Sequence, residues 1–399
     1  MTATEKILLA LLRRALFGLE TAPIPADTDF VLLLREAAHH TVIPIIYDAL
    51  TSSERAQMPP ELAQKWQMTV MRTLWQNEQL AAEQRRVLAL LRSAGLPCVI
   101  LKGSSSAMNY PKPELRTSGD IDLLLSPAHI DRAQELLLAQ GYSLSHNEGG
   151  TGSHRALHRG PFILELHYAP SGLPQTPTGD ALRAYFLGAE GAPLLRDSLL
   201  ILPPEKRAVL LLAHKLEHVT TSGLGLRHLC DWAVFVAREL DETLWADLTP
   251  TLKAFGLYRF GKIVTRACVE HLGLSPDAAP WCLGVEPGLA DALMEDILLS
   301  GNFGHKENRY GQRLFTDVGS GNRVSSFLRT GLRVCREQWE PCRKCALLLP
   351  VAPAVLLWRY RKQRKQGLRP ALKPVSVYQG AEKRQKLYKQ LRPFLPEKE

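Results

Sequence analysis

The side chains with the clearest chemical potential lie between Lys102 and Asp122. A short apolar run precedes Lys102, Gly103 and Ser104, and a second apolar run carries Asp120 and Asp122. Alternate side chains of a β-strand share a face, so these two carboxylates are expected to point the same way. Paired carboxylates bind divalent ions, and a Gly-Ser turn that opens a helix offers backbone amides to phosphate. This stretch therefore predicts nucleotide-dependent chemistry.

A third carboxylate is expected on a neighbouring strand. Nucleotidyl transfer needs metal ions that neutralise the triphosphate and stabilise the departing pyrophosphate, and clustered carboxylates hold such ions. The candidate is Glu165, because strand alternation places it on one face with His167 and places Leu164 and Leu166 on the other. Asp120, Asp122 and Glu165 are therefore the predicted catalytic and metal-binding residues, with two Mg²⁺ ions as the expected cofactor.

Four residues are candidates for binding the nucleotide. Lys102 can meet the triphosphate as a point charge and Arg116 as a planar fork. Gly103 and Ser104 can do so through their backbone amides. The alternative is structural: both cations can be solvated charges beside a turn, and Ser104 can be an ordinary helix N-cap.

Two histidines on a later helix allow three interpretations. His214 and His218 are four residues apart and share a helix face. This spacing favours a role in lining the substrate cleft of the predicted nucleotide site, together with His167. His-x-x-Glu-His is also the inverted zincin pattern, so a zinc hydrolase using His214 and His218 is an alternative. The third interpretation is a structural pair.

The next predicted helix carries a possible ion pair. Arg227 and Asp231 are also four residues apart, so we predict that they pair, either beside the cleft or in a purely structural role. Cys342-x-x-Cys345 has no partner pair, which argues against metal or redox use.

The elements around these residues alternate between helical and strand patterns. Residues up to about 95 predict helices, with a break at Val42-Ile43-Pro44 and a long helix that begins at Pro59-Pro60. Further elements are predicted as strands at 97–101, 120–125, 142–146, 154–159 and 162–168, and as helices at 128–140, 203–218, 224–239, 243–254, 257–272 and 287–299. Residues 170–197 are interrupted by Pro and Gly and have no clear assignment.

The motifs, taken in order, resemble those of a known family. The matching residues are Lys102-Gly103, Tyr110-Pro111, Leu115-Arg116, Asp120 to Leu124, Glu165 to His167, Pro204-Glu205, His214, His218, Arg227, Asp231 and Gly301 to Gly304. They resemble the uncharacterised nucleotidyltransferase family of the polymerase-β-like superfamily, over about residues 30–310. The family has Asp where this chain has Glu165, whose extra methylene can still reach a metal.

The resemblance implies a fold, a division into domains and a reaction. The fold is α+β, with a small mixed β-sheet in a nucleotidyltransferase core and helical regions on both sides. The implied segments are an N-terminal helical region (1–95), the core (96–202), a helical domain that closes the cleft (203–310) and a basic C-terminal region (311–399). The implied reaction transfers NMP from an NTP such as ATP to an unidentified hydroxyl acceptor and releases pyrophosphate. The alternative is an inactive interaction module with the same fold, in a biosynthetic or membrane-surface complex.

Composition bounds the remaining expectations. The chain has 399 residues, 45% of them hydrophobic and 22% charged, which fits a globular protein of two or three domains. The first residues lack the pattern of a signal peptide, and the seven cysteines do not resemble a disulfide framework, so a cytoplasmic location is expected.

The basic character belongs to the C-terminal tail. The formal net charge is +9, but residues 329–399 hold 18 Lys and Arg against 5 Asp and Glu, and the rest holds 31 against 35. The apolar run 345–358 contains two prolines and is shorter than the roughly 20 residues of a membrane-spanning helix, so none is expected. The basic run 359–365 that follows suits an anionic membrane surface or RNA, and a solvated extension is the alternative.

Overall fold

The computed structural model describes residues 1–145, 154–196, 199–304 and 306, and then 332, 335, 339, 341, 342, 345–365 and 384–397. Its α-helices include α1 (Ala3–Phe17), α2 (Phe30–His39), α3 (Ile43–Ala49), α4 (Ser52–Arg55), α5 (Pro60–Ser93), α6 (Ser104–Ala107), α7 (Ile130–Ala139), α8 (Pro177–Phe186), α9 (Pro204–Thr220), α10 (Leu226–Glu239), α11 (Glu242–Ala254), α12 (Tyr258–Ala267), α13 (Leu289–Ser300) and α14 (Ala352–Lys365). Its strands are β1 (Cys98–Ile100), β2 (Ile121–Leu125), β3 (Ser143–Leu144), β4 (His154–Arg159), β5 (Phe162–His167), β6 (Leu194–Arg196) and β7 (Leu199–Ile201). A π-helical turn, Cys268–Leu272, continues α12.

Proline sets several of the helix starts. Pro44, Pro60, Pro177 and Pro204 each lie in the first turn of a helix, where a missing N–H costs no hydrogen bond. The predicted break between α2 and α3 is confirmed for this reason.

The seven strands of the described chain form one mixed sheet in the order β3-β4-β5-β2-β1-β7-β6. β2 runs parallel to β5 and antiparallel to β1, which in turn runs parallel to β7. The predicted α+β class with a mixed sheet is confirmed. α8 and β6 lie within the stretch 170–197 that had no sequence assignment, and β7 follows directly after it.

The two faces of the sheet pack into different cores. Ile121, Leu123 and Leu125 of β2 pack with α7 and the second half of α5. Leu124, on the opposite face, packs into a larger core that includes residues of α1 to α3 and of α8 to α13. The face of β2 that carries the even-numbered residues therefore looks toward the helices that follow the sheet.

Helix α5 contributes to both cores. Trp66 and Val70 in its first half are buried in the larger core, whereas Val87 and Leu91 in its second half are buried under the sheet. The predicted segments 1–95 and 203–310 thus share one core, and the domain boundaries themselves remain predictions.

The described C-terminal residues contact the helical region. Residues 384–391 are helical, and Arg384 and Tyr388 both donate to the carbonyl of Val219, at the end of α9. Arg384 also pairs with Asp296 of α13. This part of the predicted 311–399 region therefore packs against α9 and α13.

The last long helix of the described chain, α14, carries basic and exposed apolar residues. α14 contains the basic run 359–365, and its Trp358 is largely exposed, with the Lys362 ammonium 5.6 Å from the ring centroid. Within the described ranges, no helix combines the length and apolarity needed to cross a membrane.

The seven cysteines are free thiols, with Cys342 buried and Cys345 exposed.

Candidate active site

The carboxylates of β2 and β5 are brought together by strand register. The two strands are parallel, and Asp122 lies directly opposite Glu165. Their neighbours Leu123 and Leu166, which are also register partners, point to the other face and are buried in the core under the sheet. The alternation predicted for both strands is confirmed, and it puts two acidic side chains side by side.

Asp122 lies at the centre of a compact charge cluster. Its Oδ1 is 3.1 Å from Lys102 Nζ and 2.9 Å from His167 Nε2, and that nitrogen is also 3.0 Å from Glu165 Oε2. Asp122 and His167 are almost completely buried, whereas Lys102 and Glu165 keep about a fifth of their side-chain area exposed. The cluster therefore has a buried floor and an open side.

The charges of this cluster stabilise one another. Burial opposes the charge of Asp122, but Lys102 and the hydrogen bond from His167 hold the pKa of this carboxyl well below its usual range. Burial opposes the charge of Lys102 as well, and Asp122, Asp120 and Glu165 raise its pKa overall. The carboxylates likewise raise the pKa of His167 despite its burial.

Asp120 is less well compensated than its neighbours. It lies just before β2 and is partly exposed. Burial first, and then repulsion from Asp122, raise its pKa, and the positive charges of Lys102 and Arg227 offset this only in part. The carboxyl of Asp120 therefore accepts a proton more readily than an ordinary aspartate does.

The turn after β1 faces this cluster. Gly103 has φ of 67° and ψ of −103°, a conformation that favours glycine, and the carbonyl oxygen of Asp120 lies 3.7 Å from where a Cβ would be. Ser104 Oγ donates to Gln84 of α5 at 2.9 Å, and Ser105 Oγ donates to the Leu101 carbonyl. The side chain of Ser104 is thus structural, and its backbone remains the candidate for phosphate.

A buried ion pair holds the segment that leads into Asp120. The guanidinium of Arg116 donates to both oxygens of Asp231, at 2.9 and 2.8 Å, and Tyr110 donates to Asp231 Oδ1 at 2.7 Å. Burial opposes the charge of Asp231, yet Arg116 lowers its pKa to about 2. The remaining nitrogen of Arg116 donates to Ser118 and Thr117. Contact with a triphosphate, as predicted for Arg116, would require these bonds to break.

The prediction that Arg227 pairs with Asp231 is wrong. Asp231 instead takes the bidentate fork of Arg116, which fills both of its carboxylate oxygens. Arg227 donates from Nη1 to the carbonyl of Thr117 at 2.7 Å. Both residues of α10 therefore fix the segment before Asp120. Asp231 binds the side chain of Arg116, and Arg227 binds the backbone carbonyl of Thr117.

Asn77 of α5 also fixes this segment, and sequence reasoning missed it. Its amide group donates to the carbonyls of Glu114 and Arg116, and its carbonyl accepts from the backbone N–H of Ser118. A single polar residue in a long helix gives no sequence signal for such a role. Tyr110 did have a signal, as part of the motif series.

The predicted histidine pair of α9 lies against a third histidine. His214 Nε2 and His218 Nε2 are 3.2 Å apart, and His228 of α10, which sequence reasoning did not single out, stacks on His218 with ring centroids 5.1 Å apart. Burial lowers the pKa of His218 to about 3, and the charge of Lys102 contributes. Burial also lowers the pKa of His214, and the charges of His218 and Lys102 contribute.

The residues present fit a divalent metal ion. Ligand atoms of Asp122 and Glu165 lie within 4.8 Å of each other, and His167 Nε2 contacts both carboxylates. Carboxylate oxygens are the ligands that hard divalent cations prefer.

Comparison with known protein families gave one informative match. A family model described as an uncharacterised nucleotidyltransferase matches residues 26–273. The matched stretch contains the whole sheet, all three carboxylates, and α9 to α12. Comparison with curated proteins gave no match.

Proposed function

This chain belongs to the uncharacterised nucleotidyltransferase family, and on that premise we propose that it transfers NMP from an NTP to a hydroxyl acceptor. In this reaction the acceptor oxygen forms a bond to the α-phosphorus, and the bond to the β-phosphate oxygen breaks. Pyrophosphate leaves with the bond electrons. The family description supports nucleotidyl transfer in general; the acceptor class and the use of metal are part of our proposal.

The observation that carries the proposal is the pairing of Asp122 with Glu165 across the parallel strands β2 and β5. Strand register fixes two carboxylates at neighbouring positions, and Asp120 is two residues from one of them. Such pre-set clusters suit a reaction in which positioning and charge stabilisation supply most of the catalysis.

Divalent metal ions, with Mg²⁺ as the expected species, would be held by Asp120, Asp122 and Glu165. Bound there, they would neutralise the triphosphate and stabilise the charge that develops on the leaving pyrophosphate. His167 contacts two of these carboxylates, at 2.9 and 3.0 Å, and so orients them.

The remaining roles follow from charge and exposure. Lys102 reaches the cluster and keeps part of its side chain exposed, so its ammonium can contact a phosphate oxygen. The backbone amides after Gly103 are candidates for a second phosphate contact. The proton of the acceptor hydroxyl would leave to solvent on the open side of the cluster, where Lys102 and Glu165 are partly exposed.

A labelling experiment tests the proposal. The purified full-length chain is incubated with each α-labelled NTP and Mg²⁺ in a desalted cell extract, and labelled products are separated. We expect one nucleotide to label an acceptor, and we expect the Asp122→Asn variant to give no label. Equal labelling by that variant would contradict the assignment of the site.

The inactive module is a second candidate, and one observation favours it. Asp122 already has two cationic partners, Lys102 and His167, so its charge is balanced without a metal. In that case the basic run 359–365 would dock the fold to an anionic membrane surface or to RNA. Calorimetry separates the candidates, since a module is expected to show no Mg²⁺-dependent binding of any NTP.

A further inference from the structure

We propose that the end of α9 holds a zinc-type transition-metal ion, with His214, His218 and Glu217 as its protein ligands. This site is separate from the carboxylate cluster and does not depend on the proposed reaction. It differs from a zincin site as well, because the glutamate serves as a ligand and not as a base.

The spacing of the two imidazoles fits one shared ion. Zinc–nitrogen bonds are about 2.0–2.1 Å long, so two nitrogen ligands at a tetrahedral angle are separated by about 3.3–3.4 Å. His214 Nε2 and His218 Nε2 are 3.2 Å apart, on adjacent turns of one helix. The two nitrogens are therefore already at the distance that a single ion requires.

The glutamate between them completes a set of three ligands. One ligand atom each from His214, Glu217 and His218 lies within 4.8 Å of the others. Glu217 Oε2 is 3.7 Å from His218 Nδ1, so a change of the Glu217 rotamer would bring it to the ion that the two Nε2 atoms share. Residues i, i+3 and i+4 share one helix face, so backbone geometry alone brings these side chains together. Two imidazoles and one carboxylate form a ligand set used for zinc and for other first-row transition metals.

Neighbouring hydroxyl groups hydrogen-bond to two of the three ligands, as the residues around metal ligands commonly do. His218 uses its other ring nitrogen, Nδ1, to contact Ser222 Oγ at 2.8 Å, and Thr221 Oγ1 donates to Glu217 Oε1 at 2.8 Å. His228 stacks on the His218 ring.

Metal content measured on the full-length chain tests this site. The protein is purified without a polyhistidine tag, stripped with a chelator, equilibrated with micromolar Zn²⁺ in a large excess of Mg²⁺ that occupies the carboxylate cluster, desalted and analysed by mass spectrometry. We expect about one zinc ion per chain and a higher thermal midpoint than in the stripped protein. His214→Gln and Glu217→Gln are each expected to weaken zinc binding at least tenfold and to lose the thermal shift.

Two control variants and a spectroscopic measurement complete the test. His158→Gln removes an exposed histidine of β4 and should leave zinc binding unchanged. Asp122→Asn should also retain the zinc, since that residue belongs to the other cluster. Co²⁺ in place of zinc should give a visible absorption band that His214→Gln abolishes, and this readout is independent of stability. Zinc binding that is absent from the wild type, or unchanged in both ligand variants, would overturn the proposal.

Discussion

Arg116 and Asp231 form a bidentate ion pair between the segment that leads into β2 and helix α10, with nitrogen–oxygen distances of 2.9 and 2.8 Å. The two residues are 115 positions apart in sequence, and both are buried. The pair ties the strand that carries Asp122 to the helices that follow the sheet. Its contribution is therefore to position the carboxylates.

Breaking this pair should lower stability strongly. Removing one partner of a buried ion pair leaves an uncompensated charge and costs about 3–5 kcal/mol. We expect Asp231→Asn to lower the free energy of unfolding by this amount, measured by urea denaturation. Glu78→Gln, in the exposed pair with Arg85, is the matched control and should cost less than about 1 kcal/mol. Equal effects of the two variants would contradict a structural role for Asp231.

Glu165 should tolerate a shorter acid but not an amide. If its charge helps to bind metal, Glu165→Gln removes several kcal/mol of transition-state stabilisation and lowers kcat by about 100-fold or more. Glu165→Asp restores the residue expected from the family and should stay within about tenfold of wild type. The rates are compared in the labelling assay, with Glu114→Gln, at an exposed position, as control. Full activity of Glu165→Gln would remove this residue from the site.

Gly103 should be sensitive to a methyl group for conformational reasons. Its φ of 67° disfavours any residue with a Cβ, although the nearest atom to that Cβ is 3.7 Å away and leaves room for it. We expect Gly103→Ala to cost about 1 kcal/mol or more in urea unfolding and to reduce turnover. Gly119→Ala has open space and no positive φ, so it should be nearly neutral. A neutral Gly103→Ala would show that the turn can relax.

Stability should fall as the pH drops below about 6.5, and His40 should account for part of the slope. Burial, together with Lys306 and His39, lowers the pKa of His40 to about 3. The unfolded imidazole binds a proton below about 6.5 while the folded one does not, so the unfolded state gains protons and stability is lost. One such group contributes a slope of up to about 1.4 kcal/mol per pH unit.

The test of that slope is His40→Asn. Nδ1 of His40 accepts the backbone N–H of Leu226 at 3.3 Å, and an asparagine oxygen can replace this acceptor without titrating. Urea midpoints are measured from pH 7 to pH 4, and the variant should show a smaller pH slope than wild type. His218, whose pKa is also lowered to about 3, should maintain a residual slope of the same sign. An unchanged slope in the variant would exclude His40 as a source.

Local patterns predicted the strands of the site. The alternation of acidic and apolar residues in β2 and β5 is a property of each strand, and it was enough to place Asp122, Glu165 and His167 on one face. The short strands β6 and β7 lack such a pattern, so their place at the sheet edge was not predictable.

Long-range partners were not predictable in the same way. Helical spacing suggested that Arg227 would pair with Asp231, because a sequence shows neighbours on a helix but not a competing side chain 115 residues away. The bonds that Asn77 makes to the segment before Asp120 depend on how α5 crosses the core, and no local spacing encodes that crossing.

Helix α5 has a mechanical consequence for the cleft. Its 34 residues correspond to a rod about 50 Å long, and its two halves are anchored in different cores. α5 therefore connects the sheet rigidly to the helices that face it. Any closure of the cleft around a substrate would have to bend this rod or turn about its axis, so a hinge at a single loop would not suffice.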